Sequence, residues 1–110
     1  MTNLINNTKE YIKAFDDKNL SLIEDFFNQD AILFDPANPN GVKGKENIIN
    51  MISDIFKEHD NLSFTDNNIF IYQDTTIIEF ELNLGQKKLV GVDIIKWQEG
   101  KIKELRAYLY

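Results

Sequence analysis

Three polar residues that lie far apart in the sequence, Tyr11, Asp35 and Asp93, are each set in an apolar segment. A carboxylate in such a setting can take a proton from carbon, while a phenol and a neutral carboxylic acid can donate hydrogen bonds to a developing oxyanion. Together these groups suit the transfer of a proton next to a carbonyl group. The chemistry requires a fold in which the three side chains meet.

The first half of the sequence predicts three helices. Apolar residues recur at three- and four-residue steps over residues 3–17, which predicts an amphipathic helix with Tyr11 on its buried stripe. Asn19 is suited to be the N-cap of a second, short helix, and a third helix is predicted to begin after Gly44. We interpret His59, near the end of this third helix, as a residue that helps to satisfy the helix C-terminus.

A short strand is predicted over residues 31–34, and it ends at Asp35-Pro36. The proline ring favours extended geometry at Asp35 and removes a hydrogen-bond donor from the ladder. We expect this strand to lie at an edge of the sheet. The segment that follows it is rich in Asn, Pro and Gly and is interpreted as a loop.

Beyond the third helix, apolar and polar residues alternate, with turn signals at residues 73–74, 85–86 and 99–100. This pattern predicts a four-stranded antiparallel meander. The predicted fold class is α+β, with three N-terminal helices packed on one side of a curved, mostly antiparallel sheet. Residues 1–110 are expected to form a single domain.

The strand predicted over residues 87–97 is apolar on both of its faces. One face places Asp93 among apolar side chains, and the other presents Val90, Val92 and Ile94. A strand that is apolar on both sides must be covered on both sides, and this chain has enough helix to cover one. We therefore predict a homodimer that forms through the outer face of the sheet.

Each candidate residue also has a simpler interpretation. A buried Asp93 could form an ion pair, with Arg106 as its expected partner, instead of holding a proton. Asp35 could do no more than open a turn, because Asp-Pro is common after a strand. Tyr11 could simply pack on the helix stripe and direct its hydroxyl to the nearest acceptor.

Composition excludes several functional classes. The 110 residues carry a formal net charge of -6, which disfavours nucleic-acid binding because that affinity arises from Lys and Arg. The absence of cysteine removes disulfides, thiol catalysis and the best zinc ligands, so we predict no metal and no cofactor. The sequence begins without an apolar targeting segment and contains no apolar run long enough to span a membrane, so we predict a cytoplasmic protein.

Three segments of the sequence resemble the ketosteroid isomerases of the NTF2-like, SnoaL-like superfamily: EYIKAFDDKNLSLIEDFFNQDAILFDP, GKENIINMI and KKLVGVDIIKWQEGKIKELRAYL. The resemblance covers almost the whole chain. It is specific at the tyrosine of Tyr-x-x-Ala-Phe, at the aspartate of Phe-Asp-Pro, and at the aspartate of Leu-Val-Gly-Val-Asp-Ile. It implies a cone-shaped α+β barrel with a deep apolar pocket, assembled as a dimer.

By this resemblance, Asp35 is the general base that moves a proton between two carbons. Tyr11 and a protonated Asp93 then donate hydrogen bonds to the dienolate oxygen, as in ketosteroid isomerase itself, the familiar example of a carboxylic acid kept neutral by an apolar site. The implied substrate is a small hydrophobic ketone. The side chains expected to bind it are apolar or aromatic: Phe15, Phe27, Ile52, Phe80, Ile95, Trp97 and Tyr108.

The sequence departs from the family at Ile52, where relatives often carry a further tyrosine that supports the oxyanion network. Family members also often extend beyond the last strand, whereas this sequence is expected to lack that extension after Tyr110. Two alternatives therefore stay open. One is a non-catalytic module that binds a small molecule in the same cone, since fold alone does not decide function. The other is a SnoaL-type polyketide cyclase, which needs little more than one pocket acid.

Overall fold

Asparagine side chains begin the first two helices. In the computed structural model, which describes residues 3–110, Asn3 Oδ1 accepts a hydrogen bond from Asn6 N at 3.0 Å, and Asn19 Oδ1 accepts one from Leu22 N at 3.1 Å. Each bond satisfies one of the free N–H groups of a first helical turn. The predicted N-cap at Asn19 is confirmed. The start of the sequence was expected to lack a targeting segment, and its first two residues lie outside the residues that the structure describes.

Residues 3–110 form three helices and six strands, and all three helices precede the last four strands. The helices are α1 (Leu4–Asp16), α2 (Leu20–Phe26) and α3 (Lys45–Glu58). The strands are β1 (Phe27–Asp35), β2 (Asn38–Lys43), β3 (Ser63–Tyr72), β4 (Thr75–Asn83), β5 (Lys88–Gln98) and β6 (Lys101–Leu109). None of the helices in the described part of the chain is long and apolar enough to cross a membrane.

The six strands form one curled, unclosed sheet in the order β2-β1-β6-β5-β4-β3. All neighbours are antiparallel except β1 and β6, which run parallel. The predicted meander is confirmed as β3 to β6, and its turns fall where the sequence signals them. Gln73, Glu99 and Gly100 have positive φ there, the left-handed conformation that tight turns require.

Two expectations about the first strand were wrong. The Asn-, Pro- and Gly-rich segment is not a loop, because it forms β2 and pairs with β1. β2 is therefore the edge strand, and β1 lies inside the sheet between β2 and β6. An edge strand tolerates Pro39 because a residue without an N–H can face solvent at a sheet edge.

The helices cover the concave face of the sheet, and the core lies between them. Along β5, Gly91, Asp93, Ile95 and Trp97 are buried on this inner face, as the alternation predicts. Val90 and its outer-face neighbours on the same strand are exposed or half-buried. His59 follows the last turn of α3, where its backbone N–H donates to Ile55 O at 2.9 Å.

Candidate active site

Helices α1 and α3 and the sheet surround a cavity of about 120 Å³ whose lining is almost entirely apolar. Its polar members are Tyr11, Asp35 and Asp93, so the structure brings the three predicted residues to one space. No Lys, Arg or His is among the lining residues of this cavity in the described chain. The apolar lining residues are Phe15, Leu33, Met51, Ile52, Ile55, Phe64, Phe80, Leu82, Leu105, Ala107 and Leu109.

Asp93 is buried in the middle of β5, with 4% of its surface exposed. Its cross-strand neighbours are Ile78 on β4 and Ala107 on β6, so the carboxyl has apolar side chains on both sides. Burial removes the water that would stabilise the charged form, and this raises the pKa of Asp93 to about 7. Near neutral pH a large share of the molecules therefore holds a protonated acid at this position.

The expected ion pair between Asp93 and Arg106 does not form. Arg106 pairs across the sheet with Ile94, one residue beyond Asp93, and its side chain therefore lies on the outer face. There its Nε donates to Glu104 Oε2 at 2.9 Å, and its guanidinium lies 4.1 Å from the centre of the Phe34 ring. The simpler interpretation of Asp93 thus loses the partner on which it depended.

Tyr11 reaches the cavity from α1 inside a cage of aromatic rings. Its ring centre lies 5.9 Å from that of Phe26 and 6.1 Å from that of Phe27, both in edge-on contact, and 6.2 Å from that of Phe15. These contacts fix the direction of the phenol. Burial and, to a smaller extent, the charge of Asp93 raise the pKa of Tyr11 well above its ordinary value, so the phenol stays protonated and keeps a hydrogen that it can donate.

The Tyr11 hydroxyl and the Asp93 carboxyl have no hydrogen-bond partner among the described residues, yet neither is a sealed and unsatisfied group. No fully enclosed side-chain nitrogen or oxygen in residues 3–110 lacks a partner. Both groups must therefore open onto the cavity that they line. Buried polar groups are normally paired, so two that point into the same apolar space are suited to a polar atom of a ligand.

Asp35 stands at the end of β1, where the turn to β2 begins. Asn38 holds the carboxylate by two bonds to Oδ1, one from its backbone N at 2.8 Å and one from its Nδ2 at 2.9 Å. Asp35 Oδ2 has no partner in the described residues. Asp35 thus combines a fixed orientation with one oxygen that is available to accept a proton, as a general base requires.

The seven residues predicted to bind substrate divide into two groups. Phe15, Ile52 and Phe80 line the cavity. The other four do not: Phe27, Ile95, Trp97 and Tyr108. The first three of these are buried in the core around the cavity, and Tyr108 is exposed on the outer face of β6 because its side chain alternates with that of Ala107.

Trp97 takes part in a buried hydrogen-bond network instead of lining the cavity. Its Nε1 donates to Thr76 Oγ1 at 2.9 Å, and the hydroxyls of Thr76 and Thr8 are hydrogen-bonded at 2.9 Å. Thr8 Oγ1 also donates to Leu4 O at 2.7 Å. This chain of bonds pairs the buried side-chain polar groups of Thr8, Thr76 and Trp97 with one another, and it ties α1 to β4 and β5.

Sequence reasoning missed the cavity residues that come from α3, β3 and β4: Met51, Ile55, Phe64 and Leu82. Periodicity marks all four as core, and nothing in it separates a wall that faces a cavity from one that faces another side chain. It also missed Asn38, whose signal was present as an Asp-Pro-x-Asn turn in which an amide can bond back to the aspartate.

No group of three or more side chains that could hold a metal ion occurs within residues 3–110. The two carboxyl groups of the cavity belong to strands that are separated by β6 in the sheet. An acid and a base set apart around an apolar space, with a phenol beside the acid, suit proton transfer on a carbon skeleton held between them.

Comparison with known proteins agrees with this architecture. The sequence profile described as a SnoaL-like domain matches residues 8–105. No curated protein sequence matches the chain. An NTF2-like protein of unknown function from Cytophaga hutchinsonii has a similar fold, with a TM-score of 0.85 at 15% sequence identity over 100% of this chain and 92% of that chain.

Two further solved structures share the fold. A protein from Kribbella flavida described as a proposed ketosteroid isomerase gives a TM-score of 0.83 at 13% identity, over 94% of this chain and 75% of that one. A protein from Shewanella putrefaciens described as a proposed SnoaL-like polyketide cyclase gives 0.84 at 14% identity, over 99% and 90%. These likenesses confirm the predicted fold class, and the profile match over residues 8–105 confirms the predicted resemblance to SnoaL-like domains.

The buried acid predicts an unusual dependence of stability on pH. Because the pKa of Asp93 is about 7 in the folded protein and about 4 when unfolded, the folded state binds more protons between these values. The free energy of unfolding therefore falls as pH rises through this window. Asp93→Asn stays neutral, so we expect it to gain stability relative to the wild type between about pH 5 and about pH 8, on the order of 3 kcal/mol.

Urea unfolding of both proteins at the two pH values measures this difference. Asp66→Asn, which changes an exposed aspartate of β3, is the matched control and should follow the wild type. An Asp93→Asn protein that keeps the pH dependence of the wild type would show that the acid is ionised in the folded state.

Proposed function

The chain belongs to the SnoaL-like domain family, and we propose that it is an isomerase that transfers a proton alpha to the carbonyl group of a small hydrophobic ketone. The double bond of a β,γ-unsaturated ketone would thereby move into conjugation with the carbonyl. One observation carries the proposal. A buried acid without a cationic partner shares an apolar cavity with an oriented carboxylate.

In the proposed reaction, Asp35 Oδ2 takes a proton from the carbon between the carbonyl and the alkene. The electron pair of that C–H bond moves toward the carbonyl oxygen and leaves a dienolate. Tyr11 and protonated Asp93 donate hydrogen bonds to this oxygen, where the charge develops. Asp35 then returns the proton to the γ carbon, so the atoms and electrons balance without any co-reactant.

The different surroundings of the two carboxyl groups support this division of roles. Desolvation favours the neutral form of Asp93, whereas the N–H groups of Asn38 hold Asp35 as an acceptor. Carboxyl groups whose environments differ in this way can act as acid and base at the same pH. The apolar lining excludes water, which strengthens each hydrogen bond to the developing charge.

The two rival functions would use the same cavity differently. A binding module gains nothing from a carboxylate opposite a buried acid, so the two groups would be incidental to its affinity. A SnoaL-type cyclase would form a carbon–carbon bond within a polyketide chain instead of moving a double bond. The product formed, and its dependence on Asp35, separate the three functions.

We expect Asp35→Asn to lower turnover of a β,γ-unsaturated ketone by about 10²–10⁴-fold, since it removes the base. Tyr11→Phe should lower it by about 10²–10³-fold, since it removes one donor to the oxyanion. The rise in ultraviolet absorbance of the conjugated enone measures the rate. Asp66→Asn serves as the matched control. A wild-type protein without turnover, and an Asp93→Asn variant that binds a phenol as an oxyanion mimic unchanged, would favour the binding module.

The rate should also depend on pH through the acid. Because only protonated Asp93 can donate a hydrogen bond, and its pKa is about 7, kcat/KM is expected to fall as pH rises through that value. Asp93→Asn keeps an N–H donor at the same position, so its lower activity should lack this alkaline limb. If the variant retains the limb unchanged, another group is responsible for it. A pH profile of kcat/KM for both proteins makes the comparison.

We also propose that a second copy of the chain covers the outer face of the sheet. Direct cross-strand neighbours form an apolar row on this face, from Phe70 on β3 through Ile77 on β4 to Ile94 on β5. Charged side chains near this row are paired within the chain, as Lys88 is with Glu81 at 2.8 Å, so apolar contact carries the proposed interface. A two-fold axis would pack this row of one copy against the same row of the other and leave the β6 and β1 side of the face open.

We expect Ile94→Lys to convert this dimer into a monomer, because it places a charge within the apolar row. Analytical ultracentrifugation measures the mass in solution, and circular dichroism checks that the fold is kept. Asp54→Lys, a change of an exposed residue on the helical side, is the control and should leave the mass unchanged. A monomeric wild-type protein at micromolar concentration would contradict the proposal.

A further inference from the structure

The cavity around the three polar residues is small for the ligand that the family resemblance suggests. Its volume is about 120 Å³, whereas pockets for drug-sized molecules measure roughly 300–1,000 Å³. An engineered apolar cavity of about 150 Å³ holds a single benzene molecule. The interior of this cone therefore matches one six-membered ring and not a stack of fused rings.

The side chains that line the cavity are packed too closely to move apart for a larger rigid ligand. Phe80 stacks on Phe64 with ring centres 4.8 Å apart and a 19° angle between the planes. On its other side Phe80 packs against Gly91, where an added Cβ would lie 2.8 Å from the ring. Ile52 is 1% exposed and closes the helical side. Close-packed walls of this kind move only at a cost in stability.

One side of the cavity is nevertheless open, where β1 leaves β6. The last pair of these parallel strands is Phe34 with Arg106, after which β1 turns at Asp35 toward β2 while β6 continues to Leu109. A second hollow of about 370 Å³ lies at this gap. Asp35, Ala107 and Leu109 line both spaces, so the inner cavity and the outer hollow are neighbours on either side of these three residues.

We propose that the substrate is a ketone with a single ring that fills the cone and a flexible tail that leaves past Asp35 into the outer hollow. This inference rests on the proposed function for the orientation of the ring. The carbonyl oxygen faces Tyr11 and Asp93, and the opposite side of the ring faces the gap. A chain of rotatable bonds can follow the bend from the inner to the outer face of the sheet, whereas a rigid fused-ring skeleton cannot.

The outer hollow suits an apolar tail. Pro36, Pro39 and Tyr108 contribute to its lining, and the nearby guanidinium of Arg106 is engaged by Glu104 and by the Phe34 ring. A tail that covers these side chains gains affinity through the apolar area that it removes from water. The tail therefore adds binding energy without entering the cavity where the ring reacts.

Phenols test the shape of the site without requiring turnover, because their hydroxyl mimics the enolate oxygen. Titration calorimetry with the wild-type protein compares phenol, meta- and para-hexylphenol, naphthol and the tetracyclic phenol equilenin. We expect the better hexylphenol to bind at least about tenfold more tightly than phenol. Equilenin should bind more weakly than phenol or not at all.

Two substitutions on the same face of α3 make a matched pair. Ile52→Ala enlarges the cavity and should improve the affinity for naphthol relative to phenol by about tenfold or more. Ile48 lies one helical turn earlier and is equally buried, but it does not line the cavity. Ile48→Ala should therefore lower stability to a similar degree while leaving the ratio of naphthol to phenol affinity as it is in the wild type.

The outcomes separate this inference from the function on which it rests. Tightest binding of equilenin, or faster turnover of a Δ5-3-ketosteroid than of a tailed cyclohexenone, would overturn the single-ring substrate and leave the isomerase intact. Preference for hexylphenol without turnover of any β,γ-unsaturated ketone would reject the isomerase and support the ring-and-tail shape of the ligand. Failure of all the phenols to bind would overturn both.

Discussion

The structure depends on one physical constraint, the burial of a carboxylic acid in an apolar interior that offers it no cation. Asp93 has Ile78 and Ala107 as its cross-strand neighbours, and the helices keep water from the concave face on which it lies. A charge in that place would have to be paired or given up, and with no basic lining residue the carboxyl is driven toward its neutral form. Because no basic side chain of the described residues pairs with it, the Asp93 carboxyl is available to a ligand in the cavity. In a structural ion pair the two charged groups bind each other, whereas this acid has no such partner and opens onto the cavity.

The second carboxylate is useful because its surroundings differ. Asp35 ends a strand, and the turn that follows supplies two N–H donors from Asn38, so its position is fixed by bonds to one oxygen only. The parallel pairing of β1 with β6 brings this strand end to the rim of the cone, two strands away from Asp93. Tyr11 completes the set from a helix, where three aromatic rings hold the phenol. Each polar group therefore comes from a different element, and the fold alone makes them neighbours.

Much of this arrangement could be predicted from the sequence, because period-two alternation determines which face of β5 carries Asp93, and periodicity in α1 puts Tyr11 on the buried side. Which distant strands pair with each other could not be predicted from the sequence. The sequence predicts a loop where β2 forms, because proline and glycine occur both in loops and in edge strands. Only the pairing with β1 identifies this segment as a strand. Arg106 was expected beside Asp93, but register decides this: Ala107 is the residue opposite, so Arg106 faces outward. The size of the cavity depends on how side chains from seven elements meet, and no local pattern contains that information.

The parallel pair of strands has a further consequence for how the molecule assembles. Strands β3 to β6 are neighbours in the sequence, so their meander can form by successive hairpins. By contrast, β1 pairs with β6 although α3 and four other strands lie between them in the sequence. Closing so long a loop costs chain entropy before the contact forms, and such non-local pairings slow folding. We therefore expect the rim that bears Asp35 to join the cone after the meander has formed. Until β1 docks, Asp93 would already stand on its sheet while Asp35 is still surrounded by water.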